Sequence, residues 1–311
     1  MIDSHLVATL TQQFFNALTL GAIYALVALG YTMVYGIIEL INFAHGDVFM
    51  VGAFVALAFL STIGFTRSIS DPLQLILVLV GTFGVTMIVL GTIGVGIERF
   101  AYRPLRNAPR LAPLITAIGV SFILQNVVQA WQGPSPVPTP QLLSPQVRFG
   151  LFGADIAVLS IVILGITLAL MIALQLFVGR TRLGRAMRST AQDREAAQLM
   201  GVDINTTIAI TFFLGSALAG AAGIVYGLYF GSIQFNLGFF SGLKAFTAAV
   251  LGGIGNTVGA ALGGFIIGFI EVGAVQVGLS RWSEALVFAV LIIVLVFRPA
   301  GLLGQQLGER A

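Results

Sequence analysis

Long, uninterrupted apolar runs dominate this chain and are separated by short polar segments. A run of about 20 apolar residues can cross a bilayer as a helix, whereas the strands of a membrane barrel show short alternating patterns. The pattern therefore predicts eight membrane-spanning helices, at Gln12–Ile37, Val48–Ile63, Leu73–Ile97, Ala112–Trp131, Ile156–Val178, Thr207–Phe230, Thr257–Val277 and Trp282–Phe297.

The composition supports a membrane protein and excludes several kinds of chemistry. Of the 311 residues, 58% are hydrophobic and 9% are charged, whereas soluble domains carry about 25% charged residues. The absence of cysteine excludes disulfides, thiolate metal sites and cysteine nucleophiles. No Lys or Arg precedes the first apolar run, so we expect no cleaved signal peptide. The net charge of +3 fits orientation in the membrane better than nucleic-acid binding, so we expect no nucleic-acid partner.

The basic residues cluster in two loops and the C-terminal tail. They are Arg99, Arg103, Arg106 and Arg110 in the first loop, Arg180, Arg182, Arg185, Arg188 and Arg194 in the second, and Arg298 and Arg310 in the tail. The positive-inside rule places all three regions in the cytoplasm. The N-terminus and the Pro-rich loop at 132–154 then lie outside, and the loop at 179–206 and the C-terminus lie inside. This topology places eleven of the fifteen Lys and Arg residues inside.

This topology requires an odd number of crossings after Phe230, although only two long apolar runs remain there. The short stretch Leu243–Ile254 must therefore cross as well, as a broken or tilted helix with a cytoplasmic turn at Gly252–Asn256. The sequence thus predicts an all-α fold: one polytopic helical bundle over residues 1–311, with about eight to ten transmembrane segments.

The second basic loop contains a polar stretch, "STAQDREAAQLMGVD", that no membrane crossing needs. Thr190 and Asp193 are typical of a helix start and Gly201 of a helix end, which predicts a helix of about ten residues, about 15 Å long. The alanines, Leu199 and Met200 give this helix a partly apolar side. The residues alone support two readings equally: a helix that fits a groove on a partner protein, and a solvated connector between two spans.

Several stretches resemble a known family. "EAAQLMG" resembles the EAA signature of ABC-importer permeases, and "GRAMRSTAQDREAAQLMGVDIN", "LGAIYALVALGYTMVYGIIELINFAHGDVFMVGAF" and "LKAFTAAVLGGIGNTVGAALGGFIIG" resemble the LivH-type permeases of branched-chain amino acid importers. The resemblance covers nearly the whole chain. One departure is that the Ile-x-Leu-Pro ending of the longer EAA consensus is absent, so the docking geometry of other EAA permeases does not carry over.

The resemblance implies a multi-pass transport subunit, not an enzyme, in the bacterial inner membrane. It implies a second related permease, two ATPase subunits, an extracytoplasmic binding protein and a branched-chain amino acid as the small-molecule substrate. Lys244 is the only lysine, so the chain has no P-loop; ATP and Mg²⁺ are expected on the partner subunits, and no cofactor on this chain. The loop would contact the ATPase through Arg185, Thr190, Asp193, Glu195, Ala196, Ala197 and Gly201.

Polar residues within the apolar chain are further candidates. Asn42, His45 and Asp47 lie together in "INFAHGD" at the start of a span. We interpret them as polar caps at a turn between membrane and cytosol, in preference to a metal or proton site; the resemblance implies a gate or coupling contact there. Glu271 is a lone acid deep in a span, which suggests either a proton site or hydrogen bonding within the bundle near its outer end.

A run of glycines predicts close helix packing. Gly255, Gly259 and Gly263 repeat at every fourth position and would lie on one helix face, where they let two helix backbones approach closely. We expect them to pack within the bundle or at a subunit interface.

Three other functions fit the sequence in part. Related importers carry urea or short amides, and the residues do not exclude such a substrate. An ion-coupled secondary transporter would need paired ionisable groups in the membrane, of which the sequence offers only Glu271 and the "INFAHGD" cluster. A structural scaffold would not explain a loop helix that is delimited at both ends.

Overall fold

The computed structural model describes residues 4–106, 108–109, 111–143 and 147–304. Arg110 and Arg310, which the charge analysis places in the cytoplasm, lie outside these residues. Within the described part, eight helices are long and apolar enough to cross a membrane, which confirms the predicted polytopic helical fold. They are α1 (Ser4–Ile38), α2 (His45–Thr62), α3 (Pro72–Ile97), α4 (Leu111–Gln132), α5 (Val158–Arg180), α8 (Ile204–Phe230), α10 (Thr257–Gln276) and α11 (Ser283–Phe297).

Three shorter helices complete the described helical structure: α6 (Arg182–Gln192), α7 (Arg194–Leu199) and α9 (Leu237–Gly252). Helix α3 continues through a π turn, Glu98–Tyr102, and a 3-10 turn, Arg103–Leu105. A second 3-10 turn, Ser280–Trp282, precedes α11.

Side-chain caps explain where several helices begin. Asp71 accepts hydrogen bonds from the backbone at the start of α3, and Pro72 occupies the first helical position, where no amide hydrogen is needed. Asp203 caps α8 in the same way, and Asn256 caps α10 through the amide of Gly259. These caps satisfy amide groups that a helix leaves unpaired at its first turn.

The core lies around α1, α2 and α8. Helix α1 packs against α10 and α8, and α8 packs against α2 and α3. Helices α4, α5 and α11 lie at the periphery, with only a small share of their residues buried. An apolar outer surface is what a bilayer requires of a bundle whose helices satisfy their own backbone hydrogen bonds.

Short strands join the loops at one end of the bundle. Strand β1 (Val137–Pro138) pairs antiparallel with β4 (Ser232–Ile233), and β2 (Arg148–Leu151) forms a hairpin with β3 (Ala154–Ala157). Beyond Gln132, the last residue of α4, the described residues of the Pro-rich loop contain no helix, as the prolines predicted. The distribution of basic residues predicts that these loops lie outside the membrane. Loops predicted to lie on the same side of the membrane are therefore in contact.

Segments predicted to be cytoplasmic meet at the opposite end. The Arg194 guanidinium donates to the carbonyl of Ile37 at 2.9 Å, and the amide of Leu302 donates to the carbonyl of Leu251 at 2.9 Å. The crossing pattern deduced from charge is therefore consistent with the fold, and which end faces the cytoplasm stays a prediction.

The short apolar stretch Leu243–Ile254 belongs to a separate helix, as predicted. Helix α9 begins at Leu237, six residues earlier than the apolar run suggested, and ends at Gly252. Its 16 residues span about 24 Å, less than the hydrocarbon thickness of about 30 Å. Residues 253–256 form the predicted turn, in which Gly253 and Gly255 have φ of 105° and 93°, values that favour glycine.

The glycine prediction is correct for two of its three residues. A Cβ at Gly259 or Gly263 would lie 2.3 Å or 2.0 Å from a carbonyl oxygen of α9, so both glycines allow α9 and α10 to touch. Gly255 does not belong to this face, because it precedes α10 and lies in the turn. Spacing alone could not reveal that the helix begins only after Gly255.

Candidate functional site

The polar stretch of the second loop forms two helices, not one. The predicted start at Thr190 is wrong: Thr190 lies inside α6, where its hydroxyl donates to the carbonyl of Ala186 at 2.8 Å. The chain breaks at Asp193, which is extended and caps α7 by accepting from the amide of Ala196 at 3.0 Å. The Thr-x-x-Asp pattern predicted the wrong start because the aspartate, and not the threonine, is the capping residue.

The predicted helix end is correct. Gly201 has a φ of 84°, and the amide of Val202 donates to the carbonyl of Ala197 at 3.0 Å. This is the hydrogen bonding of a helix that ends in a left-handed residue. Helix α7 therefore has a defined length of six residues.

Helix α7 presents a mixed surface. Leu199 and Met200 are 88% and 85% exposed, and Glu195 and Ala196 are exposed as well. Ala197 is 4% exposed and faces its own subunit, although the sequence analysis placed it on the contact surface. Two neighbouring apolar side chains exposed at the tip of a polar loop are typical of an interaction site.

The loop is anchored to the membrane helices on two sides. Arg194 donates to the carbonyl of Ile37 near the end of α1, where a cation also stabilises the helix dipole. Arg188 donates to the carbonyl of Val178 in α5. Arg185, in contrast, is exposed on α6. A displacement of α6 and α7 would therefore pull directly on α1 and α5.

A buried acid that the sequence analysis missed organises the same end of the bundle. Glu98 is fully buried and accepts a bidentate interaction from Arg103, at 3.1 Å and 2.8 Å, and a single hydrogen bond from Arg106. Arg106 also donates to Asn205 at 2.7 Å, which ties the end of α3 to the start of α8. An acid beside several arginines at the end of a span is the signal that could have revealed it.

At the start of α8, the Thr206 hydroxyl donates to Asp203, and this hydrogen bond holds the pKa of the Asp203 carboxyl below its usual value.

A groove of about 510 Å³ lies beside α7, lined by residues 37–40, Arg106 and residues 190–195 among others. The two basic loops predicted to be cytoplasmic thus line one groove together with the end of α1.

The "INFAHGD" residues lie inside the protein, not at its rim. Asn42, His45 and Asp47 are 3%, 1% and 1% exposed. Asn42 is not the cap of α2, since the capping position is Ala44 and has no side-chain hydrogen bond; its Oδ1 instead stabilises the preceding turn by accepting from the amide of Ala44 and from the hydroxyl of Tyr102, both at 3.1 Å. Asp47 lies in the first turn of α2, as expected, but it accepts from the Ser121 hydroxyl of α4.

Whether this buried cluster lies at a turn between membrane and cytosol stays a prediction. The partner of Asp47, Ser121, follows the first residue of α4 by ten positions, about 15 Å along the helix. The described residues contain no group of three or more side chains suited to holding a metal ion.

Glu271 has partners that the sequence did not reveal. The Lys244 ammonium lies 2.8 Å from its Oε1, and the Tyr24 hydroxyl donates to its Oε2 at 2.8 Å. The expectation of an acid without a basic neighbour is wrong, and the alternative of hydrogen bonding within the bundle is confirmed. These two interactions join α10 to α9 and to α1.

The fold and this site define the class of protein: a multi-pass helical membrane protein with a structured loop assembly at one end. Residues 13–295 match the family described as branched-chain amino acid transport system, permease component, and the chain belongs to this family. The resemblance noted from the motifs is thus confirmed.

Relatives match along almost the whole chain. The chain is 44% identical to the high-affinity branched-chain amino acid transport system permease protein BraD of Pseudomonas aeruginosa, covering 96% of this chain and 97% of BraD. It is 44% identical to the LivH permease protein of Salmonella typhimurium and 42% identical to that of Escherichia coli, with the same coverage. No solved structure matches the chain.

Proposed function

We propose that this chain is a permease subunit of an ATP-binding cassette importer that carries leucine, isoleucine and valine across the bacterial inner membrane. The substrate assignment rests on the full-length similarity to three permease proteins of high-affinity branched-chain amino acid transport systems. The chain is a transport subunit and performs no catalysis itself.

ATP hydrolysis takes place on other chains. The sequence has one lysine, Lys244, and no P-loop, so ATP and Mg²⁺ bind to two separate ATPase subunits. A second related permease completes the pathway, and an extracytoplasmic binding protein delivers the substrate. The N-terminus lies outside and the C-terminus lies in the cytoplasm, since this orientation places the arginine-rich loops inside.

The ATPase contacts the permease at α7. Leu199 and Met200 supply the apolar part of the contact, and the exposed Glu195 and Ala196 border it. Asp193 and Gly201 define the two ends of the helix, whereas Thr190 and Ala197 support it from inside. The residues of the EAA motif therefore have two roles: some contact the ATPase, and the others hold α7 in place.

Movement of the ATPase reaches the membrane through the anchors of the loop. When the ATPases close on ATP they displace α7, and Arg194 transmits the displacement to the end of α1 at Ile37. Helix α1 lies at the centre of the bundle, so its shift alters the packing of α8 and α10. The bundle thereby switches the side of the membrane to which it is open.

Reconstitution tests the function. Proteoliposomes that contain the permeases, the ATPases and the binding protein should accumulate radiolabelled leucine only with ATP inside. Accumulation of urea or acetamide in preference to leucine would refute the substrate assignment. Uptake by the permease chain alone, driven by a proton or sodium gradient, would refute the importer assignment.

A second experiment tests the docking site. Leu199→Asp places a charge in the apolar contact and should abolish copurification with the ATPases and ATP-driven uptake, because an unpaired charge at an interface core is strongly unfavourable. Leu279→Asp, the same change at a 43% exposed residue near the opposite end, is the matched control for copurification. Unchanged ATPase binding by Leu199→Asp would show that α7 is only a connector.

A further inference from the structure

Helix α4 carries a line of polar side chains along an otherwise apolar span. Ser121, Gln125 and Gln129 follow one another at intervals of four residues and therefore lie along one side of the helix. Ser121 is buried, and the two glutamines are half-buried. We call these three residues the α4 polar strip. The side of α4 opposite the strip carries Ile123 and Val127, which are 62% and 58% exposed.

The α4 polar strip is connected to the buried acid of α2. The Gln125 amide donates to the Ser121 hydroxyl at 3.4 Å, and that hydroxyl donates to Oδ2 of Asp47. The other carboxylate oxygen, Oδ1, is buried and has no hydrogen-bond partner within the described part of the chain. A buried acceptor without a donor is unfavourable unless another group supplies the donor.

The depth of the strip makes contact with lipid unfavourable. Ser121 lies ten residues from the first residue of α4 and Gln129 lies eight residues further, so the strip covers about 12 Å and starts about 15 Å from the end of the helix. Primary amides in hydrocarbon leave donors and acceptors unpaired. Helix α4 also packs on few neighbours, chiefly α2 and the π turn, so its own subunit covers the two glutamines only in part.

We infer that the α4 polar strip lines the substrate pathway, with Gln125 and Gln129 binding the carboxylate of a passing amino acid and Asp47 its ammonium group. The inference rests on the proposed function and names the side of the permease that the substrate meets. Amide donors suit a carboxylate, and a buried carboxylate with an open oxygen suits an ammonium group. In the conformation described here Asp47 is covered, so the ammonium site opens only when α2 and α4 separate.

The absence of cysteine makes the pathway testable by labelling. Gln125→Cys and Gln129→Cys are compared with the controls Ile123→Cys and Val127→Cys in the assembled importer in proteoliposomes. A small charged thiol reagent that cannot cross the membrane should modify the strip variants at least about tenfold faster, because ionised thiolate and reagent both require water. Equal, slow modification of all four variants would overturn the inference.

Protection by substrate tests the chemistry. Without the binding protein, leucine should slow the modification of Gln125→Cys, whereas 4-methylpentanoate, which lacks the ammonium group, should not. Adding Asp47→Asn should raise the leucine concentration for half-protection by about tenfold, the loss expected when one charge-assisted hydrogen bond is weakened. Equal protection by both compounds, or no effect of Asp47→Asn, would refute the ammonium site.

The outcomes separate this inference from the proposed function. Normal ATP-driven leucine uptake together with unreactive strip variants would reject the pathway and leave the function intact. Cross-linking of Gln125→Cys to the second permease without any reaction with the reagent would assign the strip to the subunit interface and refute the pathway. Failure of leucine uptake by the complete, unmodified importer would reject the function itself.

Discussion

The interaction between Lys244 and Glu271 can be measured with a double-mutant cycle. The two side chains are 12% and 17% exposed and their charged atoms are 2.8 Å apart. At an effective dielectric constant of about 20, Coulomb's law gives an attraction of about 6 kcal/mol at that separation. Removal of both charges from water opposes this attraction by several kcal/mol, so the net contribution is much smaller than the attraction.

The two single substitutions should differ in their effect on stability. Lys244→Met leaves the Glu271 carboxylate with only the Tyr24 hydroxyl, so we expect a loss of about 3 kcal/mol in the free energy of unfolding. Glu271→Gln should cost about 1–2 kcal/mol, because glutamine can still accept from Tyr24. Lys244 then retains Glu284, which lies 3.5 Å away and is 56% exposed.

The assay is equilibrium unfolding of the purified permease in mixed micelles with increasing dodecyl sulfate. The double variant should lose about 1–2 kcal/mol less than the sum of the single variants, since the second change removes a charge that the first has already left unpaired. Additivity within about 0.5 kcal/mol would refute the interaction. Glu271→Gln should also retain ATP-driven uptake, and loss of uptake by a stable complex would favour the ion-coupled alternative.

Three further predictions concern packing, the loop and orientation. Gly263→Val should lower the free energy of unfolding by about 3 kcal/mol in the same micelle assay, because its Cβ would lie 2.0 Å from the carbonyl of Ala248; wild-type stability would show that α9 and α10 do not touch there. Asp193→Ala removes the cap of α7 at a cost of about 1 kcal/mol to the helix and should weaken ATPase copurification without preventing membrane insertion. A cysteine in place of Pro136 should react with an impermeant reagent from outside, and one in place of Gln192 should not; the reverse result would invert the topology.

The sequence by itself determined the number, order and approximate bounds of the eight long apolar helices. Each apolar run must satisfy its own backbone hydrogen bonds in lipid, so a local property decides whether a helix forms. The same holds for the turn after Gly252 and for the helix end at Gly201, where a left-handed backbone favours glycine. The motif resemblance to branched-chain permeases was likewise local and was confirmed.

Only the tertiary structure decided which polar side chains meet. Lys244 and Glu271 lie 27 positions apart and Asp47 and Ser121 lie 74 apart, and no spacing rule links such pairs. The inward orientation of Ala197 and the burial of Asp47 also depend on how whole helices pack. The physical reason is that a helix crosses the membrane when its own segment transfers favourably into lipid. A buried polar group, in contrast, needs hydrogen-bonding partners that other segments of the chain supply.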